Sequence, residues 1–515
     1  MKIKNILIIF FFFIFLAGCT LVEDSDGNIS ITSPEKSIVY RYSEINNCYF
    51  VEDIVADEVK DIVIEGTYKG LPVLGIIAGA FKNKKNITSV KISEGIISIG
   101  KNAFAGCTSL KEVILPSTIG IIKEGAFADC VNLEKIELPN KIVTIEAGVF
   151  NGCNKAPFLV YENGVYLGNS ENPYLALLDA NVRAKYIKVH PDTIMITDEA
   201  LAYCDEATDI QLNDSLKYIG QKAFYGCNKI EYLKIPSSIK TIEYETFSNC
   251  SSLKQISLND GLEKIELYAF QGCIKLESIV IPDSVTEIED ESFSFCESLK
   301  EITFSKNMTT IPEKAFYNNI SLETLIIPDN IEYINSSAFS NCTGLKEIKF
   351  NDNIKEIGSD AFSWCTSLEK ITFPTNEFKV CESAFQSCKG LKEVTIPNNL
   401  ICEGGFIFSY CSALEKVTFE EGYKQINEGM FGFCINLKEV ILPSTLEKIG
   451  YYAFKNCKSL KSIFIPKSIK KIEFDTFIHC ENLTIYCEAE KEDLETLDYY
   501  FIDDNNYKVV WGYKK

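Results

Sequence analysis

Histidine is almost absent from this chain: only His190 and His479 occur among 515 residues. Neither has a second nitrogen ligand nearby in sequence, and the chain contains no H-E-x-x-H, G-x-S-x-G, Walker or G-x-G-x-x-G motif. A Cys–His or Ser–His pair would have to use one of these two residues. We therefore predict a protein that is not an enzyme and that needs no cofactor, no metal and no small-molecule substrate.

Positive charge is also scarce, with 51 Lys and Arg against 72 Asp and Glu and a net charge of −21. Such a field repels nucleic acid and anionic membrane surfaces at long range. The composition excludes nucleic acid as a partner and favours basic or neutral macromolecules.

Long hydrophobic runs are missing except at the N-terminus, which reads MKIKNILIIFFFFIFLAGCT. Two lysines, a short apolar run and Leu16-Ala17-Gly18-Cys19 predict a bacterial lipoprotein signal at 1–18, with lipid carried by Cys19. An ordinary secretory signal or a membrane helix are the alternatives, although a span needs about 20 apolar residues. Residues 19–37 are polar and turn-rich, which predicts a flexible tether. Contact with the membrane would then be made only through the lipid.

Cysteine, in contrast, is abundant and regular. Cys107, Cys130 and Cys153 are 23 residues apart, and the interval resumes at Cys204 and continues to Cys480, with Asn319 in place of one cysteine. A phenylalanine stands three residues earlier nearly throughout, from Phe104 to Phe477. The chain is therefore a repeat protein.

Each repeat follows the frame L-x-x-(I/V)-x-(L/I/F)-(P/N)-x-x-(I/L/V)-x-x-I-x-x-x-A-F-x-x-C. Its opening alternates apolar and polar residues, which predicts a short strand with one buried face. The period and the leucine-spaced strand predict a leucine-rich-repeat solenoid, with a parallel β-sheet on one face and short turns, 3-10 or helical segments on the other. Counting the Phe position from Phe81 through Phe477, with Leu201 accepted, gives about 17 coils of 23 residues.

The LxxIxLPxxI and AFxxC halves resemble the BspA-type leucine-rich repeats of bacterial surface proteins. GTYKGLPVLGIIAGAF looks like the entry segment of that family, and YKVVWGY looks like its closing strand. We place the N-terminal entry segment at 38–80, the solenoid at 81–480 and the C-terminal cap at 481–515. The resemblance implies an adhesin-like protein at the bacterial cell surface or envelope that binds extracellular proteins of a host, a matrix or neighbouring cells. A structural or scaffolding lipoprotein of the cell envelope is the alternative.

The repeated cysteines allow three interpretations. Neighbouring coils place them ~5 Å apart, which is within the range of a disulfide. Each cysteine would nevertheless have two equivalent neighbours, and Asn319 replaces one without breaking the repeat. We favour buried free thiols that pack beneath the phenylalanines, while disulfide pairs and a metal ladder remain open.

Two departures interrupt the repeat. The interval from Cys153 to Cys204 is 51 residues, so about 28 residues are inserted, and Asn163-Gly164 predicts a β-hairpin insert at about 156–184 that projects from the solenoid. It is either an elaborated coil or a ligand-contacting protrusion. Near 374–411, Glu377 and Glu403 stand where Ile or Leu is usual; we expect Phe378, Cys402 and Phe406 to take the buried positions. A disulfide between Cys381 and Cys402 is a hypothesis.

The outward positions of the strands are the best candidates for function, because stacked strands present them as one surface. The position seven after each cysteine mixes apolar, hydroxyl and lysine side chains, which suits adhesion to a protein and equally suits strand propensity alone. Four residues after each cysteine, Lys and Glu alternate from Lys254 to Lys438, which we attribute to favourable pairing between coils. The candidate protein-binding face consists of Ile114, Lys234, Val280, Thr303, Ile326, Lys349, Thr372, Thr395, Thr418, Ile441 and Phe464.

Overall fold

The computed structural model describes residues 20–23, 29–32, 38–55, 59–490 and 507–514. They form two compact units, which meet in sequence at Phe224 and Tyr225. Each unit consists of turns of a parallel β-solenoid, about 19 in all, which confirms the fold class predicted from the repeat. None of the residues with a described position belongs to a helix that could span a bilayer.

Every regular coil contributes two short strands, so the solenoid has two parallel ladders where the sequence indicated one. The first strand is the alternating segment at the start of the repeat. The second is a two-residue strand that ends on the isoleucine eight residues before each cysteine, as in Ile121–Ile122. In nearly all of these strands the isoleucine side chain is buried while the residue before it is exposed or half-buried; Met195, which is buried, is an exception. This two-residue alternation is short enough to escape a search for strand periodicity.

The first ladder consists of the opening strands of successive coils. In the first unit these are Asp61–Ile64, Ser89–Ile92, Glu112–Ile114, Lys135–Ile136, Tyr186–Lys188 and Asp209–Gln211. In the second unit they are Tyr232–Lys234, Gln255–Ser257, Ser278–Val280, Glu301–Thr303, Thr324–Ile326, Glu347–Lys349, Lys370–Thr372, Glu393–Ile396, Lys416–Phe419, Glu439–Ile441, Ser462–Ile465, Leu483–Cys487 and Tyr507–Val510.

The second ladder begins on an antiparallel pair and continues in parallel. In the first unit its strands are Ile38–Ser43, Cys48–Ile54, Leu71–Ile76 (with Thr67–Tyr68 paired to it), Ser98–Ile99, Ile121–Ile122, Thr144–Ile145, Met195–Ile196 and Tyr218–Ile219. In the second unit they are Thr241–Ile242, Lys264–Ile265, Glu287–Ile288, Thr310–Ile311, Tyr333–Ile334, Glu356–Ile357, Phe378–Val380, Leu400–Cys402, Gln425–Ile426, Lys448–Ile449 and Lys471–Ile472.

The remainder of each coil is made of turns; no α- or 3-10 helix occurs among the described residues, so of the predicted options only turns are present. Two positions per coil explain this, because they adopt left-handed backbone angles: the residue before each cysteine and the residue two before each phenylalanine. Asn102, for example, has φ 54° and Gly106 has φ 72°. A right-handed helix cannot continue through such residues.

The phenylalanines and cysteines form the core of the turn side. Within each unit, the rings of successive coils stack almost in parallel, as for Phe104 and Phe127 at 5.3 Å between centroids and 4° between planes. In the regular coils the cysteine beneath the ring donates its thiol to the carbonyl oxygen of the phenylalanine one coil earlier, as Cys130 does to Phe104 at 3.2 Å. The cysteine therefore serves as a hydrogen-bond donor as well as an apolar filler.

The ends account for the difference between about 17 predicted coils and about 19 observed turns. In the entry segment, Cys48–Ile54 pairs in parallel with Leu71–Ile76. In the C-terminal cap, Tyr507–Val510 adds in parallel to Leu483–Cys487. The predicted tether also holds more structure than expected, since Thr20–Glu23 and Ile29–Thr32 form an antiparallel pair. The sequence between these two strands contains Asp-Gly, a hairpin signal, which explains the difference.

The insert forms a three-stranded antiparallel sheet of Leu159–Tyr161, Gly164–Leu167 and Ala176–Ala180. Its turn is one residue earlier than predicted: Glu162 and Asn163, both at positive φ, occupy the central positions, and Gly164 begins the next strand. The third strand pairs in parallel with Met195–Ile196 of the second ladder. The insert is thus joined to the solenoid along one strand and does not simply project from it.

In the irregular coils near 374–411, the two glutamates are exposed, as predicted. Phe378 is buried, whereas Glu377 and Glu403 are exposed, and Glu403 pairs with Lys379. The expectations for Cys402 and Phe406 were wrong: both are half-buried, and Ile407 and Phe408 take the buried positions.

The hypothesised Cys381–Cys402 disulfide is not formed in the structure, where both thiols are free. Cys402 lies opposite Val380 in the ladder, one residue out of step with Cys381, and consecutive residues of a strand point to opposite faces. Cys381 Sγ instead lies 3.8 Å from Glu356 Oε1, and Cys402 Sγ lies 3.2 Å from the Tyr423 hydroxyl.

Candidate protein-binding face

The outer surface of the first ladder is made by alternation within each strand. In Thr324–Ile326, for example, Leu325 is buried with 2% of its surface exposed, while Ile326 is 64% exposed. The same alternation places Ile114, Val280 and Ile441 outward, at 49%, 61% and 38% exposure. Large apolar side chains therefore lie on the solvent-exposed face of the sheet, while the opposite face packs against the hydrophobic core.

Register brings the predicted residues together in rows across the coils. Ile326 lies directly opposite Lys349, which lies opposite Thr372. A second row joins Thr395, Thr418 and Ile441, and a third joins Val280 and Thr303. Lys234 is paired with Ser257, and Ile114, in the other unit, with Lys91. Within these rows each side chain has a neighbour from the list, or another polar residue, at the spacing of adjacent strands.

Phe464 differs from the other members because the C-terminal cap covers part of it. Its ring stacks on Tyr486 at 5.0 Å between centroids, and Tyr513 lies 5.5 Å away. Phe464 is consequently half-buried. The two tyrosines extend the apolar part of this surface. Tyr513 belongs to the closing segment YKVVWGY, whereas no feature of the sequence predicts a role for Tyr486.

Shallow concavities lie on this surface in the second unit. One, of about 840 Å³, is lined by Thr303, Ile326 and the charged pair Glu323 and Lys346. Another, of about 430 Å³, is lined by Ile441, Phe464 and Glu439. Both combine exposed apolar side chains with a charged rim.

The alternating charges make ion pairs between neighbouring coils. Lys346 Nζ lies 2.8 Å from Glu323 Oε2, and Lys438 lies equally close to Glu415. Lys346 lowers the pKa of Glu323, and Lys438 lowers that of Glu415, each through a hydrogen bond to the carboxylate. These pairs are solvent-exposed, so each contributes little to stability. The arrangement agrees with the interpretation of the alternation as pairing between coils.

A further groove, of about 530 Å³, lies in the first unit between the first ladder and the insert. Its floor is Glu112–Ile114 and Lys135–Ile136, and its wall comes from the insert, including Leu159, Leu167 and Pro173. Of the predicted residues only Ile114 lines it. The missed residue is Glu137, which also stands seven positions after a cysteine and could have been found by completing that series.

Three of the core cysteines lack the features of a reactive thiol. Cys107 is buried, and burial raises the pKa of its thiol to about 12; the pKa values of Cys296 and Cys342 are likewise raised to about 12 by burial. Reactive cysteines are exposed and have lowered pKa values. No group of three or more metal-ligating side chains occurs in the described part of the chain. The predicted lipidation residue, Cys19, lies outside the described residues.

Four segments of the chain match the family described as the BspA type Leucine rich repeat region: residues 75–170, 180–291, 263–389 and 355–484. These segments cover well over half of the sequence. The chain belongs to this family. The match confirms the resemblance drawn from the LxxIxLPxxI and AFxxC halves, and its segments include most of the insert.

Solved structures similar to this BspA-type chain include a leucine-rich repeat protein from Bacteroides ovatus, with 22% identity and a TM-score of 0.44 over 92% of this chain and 98% of that one. A leucine rich cell surface protein from Faecalibacterium prausnitzii is 24% identical, with a TM-score of 0.34 over 91% and 97%. The pneumococcal vaccine antigen PcpA is 16% identical, with a TM-score of 0.34 over 96% and 99%. No curated protein matches the chain.

Proposed function

We propose that this protein is a non-enzymatic, lipid-anchored protein of the bacterial cell surface that binds extracellular proteins through the outer face of the first ladder. Host, matrix and neighbouring-cell proteins are the partners that the family resemblance implies. The N-terminal sequence up to Cys19 supports the anchor, and the net charge of −21 supports a basic or neutral partner.

The observation that carries the proposal is that large apolar residues, aligned between neighbouring strands, are exposed on the outer face of the sheet. The inner face alone packs against the core, so these side chains are not needed for packing. Val280 and Ile326 leave more than half of their surface in water. Around them, threonines and lysines supply hydrogen-bond donors and charge at the spacing of adjacent strands. Protein interfaces combine an apolar centre with a polar rim in this way.

The test is binding of the full chain, solubilised in detergent, to immobilised extracellular matrix and host-surface proteins. Val280→Asp and Ile326→Asp should each weaken binding at least about tenfold, because a carboxylate would be buried at the centre of the interface. Both residues are exposed in the free protein, so these variants should fold. Ile274→Asp is the matched control, since Ile274 is an exposed isoleucine that lies outside the first ladder.

Unchanged binding by both face variants, or an equal loss in the control, would contradict the proposal. Location is tested separately by treating intact cells with protease. Removal of the protein from the cell surface is expected; complete protection would favour the scaffolding alternative within the envelope.

A further inference from the structure

The first ladder of the first unit is interrupted where the insert begins. Regular stacking pairs each residue with the one 23 positions later, as Glu112 pairs with Lys135. The partners of Lys135 and Ile136 would therefore be Phe158 and Leu159. Leu159 instead pairs with Tyr166 of the insert hairpin, and the ladder resumes only at Tyr186–Lys188. One strand position after Lys135–Ile136 is consequently left without a strand of the first ladder.

The residue types explain the interruption. In the preceding coil, the Lys111 carbonyl accepts hydrogen bonds from the N–H groups of Glu134 and Lys135. At the corresponding position one coil later, Pro157 has no N–H to offer to Glu134, and the Phe158 N–H donates to the Ala156 carbonyl at 2.7 Å. Neither of the two N–H donors that a regular coil supplies is therefore directed at the Glu134 carbonyl.

The insert supplies hydrogen-bond partners to some backbone groups of the interrupted ladder, but not to the outer edge of the strand Lys135–Ile136. Gly168 accepts a hydrogen bond from the Leu138 N–H at 2.9 Å, and Asn163 donates to the Tyr186 carbonyl at 2.9 Å. Among the described residues, no donor bonds to the carbonyl oxygens of Glu134 and Ile136. These groups open into the groove between the ladder and the insert. An exposed strand edge of this kind is a template for another strand.

The groove has the chemistry to select the side chains of such a strand. Ile114, Leu159 and Leu167 provide apolar contact. Three carboxylates, those of Glu112, Glu134 and Glu137, line it against the single ammonium group of Lys135.

Two of these carboxylates already have partners. Glu112 lies 3.8 Å from Lys135, and Glu134 lies 3.3 Å from Lys155. Glu137 is exposed and forms no ion pair with any residue that the structure describes. A cationic side chain placed beside Glu137 would complete the charge balance of the groove.

We propose that this groove binds an extended peptide segment of a partner protein, with alternating apolar and cationic side chains, which adds as a strand to the edge of Lys135–Ile136. The inference rests on the proposed function, since it assigns one class of segment to a protein-binding surface. The insert is then a device that withholds one strand from the ladder so that a partner can supply it.

The experiment is a fluorescence-anisotropy titration of the full chain, in detergent, with a fluorescein-labelled peptide of about six residues that alternates valine and lysine. Two further probes carry glutamate for lysine, or the same side chains on an N-methylated backbone. Both should bind at least about tenfold more weakly, because the first reverses the charge and the second removes the hydrogen-bond donors of the strand. Equal binding of the N-methylated probe would overturn the strand addition.

Glu137→Lys should weaken binding of the valine–lysine probe at least about tenfold. Glu369→Lys is the matched control, because Glu369 is an exposed glutamate without an ion pair among the described residues of the other unit. An equal loss in both variants, or none in Glu137→Lys, would overturn the proposal. If Val280→Asp and Ile326→Asp abolish binding to extracellular proteins while the probe does not bind, the proposed function stands without this groove.

Discussion

The thiol of Cys107 lies 3.1 Å from the carbonyl oxygen of Phe81, one coil earlier. Both residues are buried completely, so this carbonyl has no access to water. The same contact recurs from Cys130 to Cys480 wherever the repeat is regular, as between Cys434 and Phe408. It gives the cysteine a role that a purely apolar residue of similar size could not fill.

Replacing Cys107 with alanine should lower the free energy of unfolding by about 1–2 kcal/mol, because the change leaves a small cavity and removes one of the two hydrogen bonds that the buried Phe81 carbonyl accepts, the other coming from the Lys84 N–H. Urea unfolding of the full chain, followed by circular dichroism, measures the shift of the midpoint. Cys381→Ala is the control: Cys381 is half-buried and its thiol has only a long contact, of 3.8 Å, to Glu356. Equal destabilisation by the two variants would show that the carbonyl contact has no special weight.

Asn319 stands where the regular cysteine is expected between Cys296 and Cys342, without a change in spacing. Its Oδ1 accepts a hydrogen bond from the Cys296 N–H at 2.9 Å, but its Nδ2 is buried without a partner. Asn319→Cys should raise the free energy of unfolding by about 1 kcal/mol, since it removes an unsatisfied buried donor, while the Cys296 N–H can turn to the Phe293 carbonyl as the Cys273 N–H does to Phe270. The adjacent Asn318→Cys should not, because Asn318 is only half-buried and has φ 60°, which asparagine tolerates well. A lower midpoint for Asn319→Cys would refute this account.

Asp198 is a buried carboxyl whose pKa is raised to about 7, chiefly by burial and secondarily by Glu146. The Gln221 N–H and the Tyr218 hydroxyl are its hydrogen-bond donors and act in the opposite direction. The unfolded chain releases this proton near pH 4, whereas the folded protein keeps it until about pH 7. The contribution of Asp198 to stability therefore falls as pH rises from about 4 to about 7, and stays low above that.

Asp198→Asn should remove this dependence and raise the free energy of unfolding at about pH 8 by up to about 4 kcal/mol. Unfolding midpoints of the variant and the natural protein, compared at about pH 5 and about pH 8, measure the effect. Asp214→Asn, at an exposed position, should leave the difference between the two pH values unchanged. The same slope in Asp198→Asn and the natural protein would disprove the assignment.

The fold could be predicted because every coil repeats the same pattern of residue types. The spacing of Phe and Cys indicates which side chains stack, and the alternation in the opening strand indicates which side chains face water. The second ladder was missed because two residues, such as Ile121 and Ile122, are too few to display a period. The hairpin turn was predicted one residue too late, at Asn163-Gly164, because that pair is a typical turn sequence; the turn in the structure is at Glu162 and Asn163.

The groove could not be predicted in the same way, because it exists where the insert does not supply the next strand of the first ladder. Pro157 and Phe158 lie 23 residues after Glu134 and Lys135, as the repeat requires, but they do not make the regular hydrogen bonds. Only the three-dimensional structure shows which carbonyl groups are left without a donor. Glu137, in contrast, could be read from the sequence as a member of the outward series.

The link between each cysteine and the carbonyl of the coil before it also bears on how such a chain can change in length. Every regular coil brings one donor for its predecessor and one acceptor for its successor. Gain or loss of a whole unit of 23 residues therefore leaves no group unmatched, whereas a shift by a single residue would unpair every contact at the junction. Gene duplication can lengthen or shorten this molecule in steps of one coil, and selection on the binding face can act on each new coil separately.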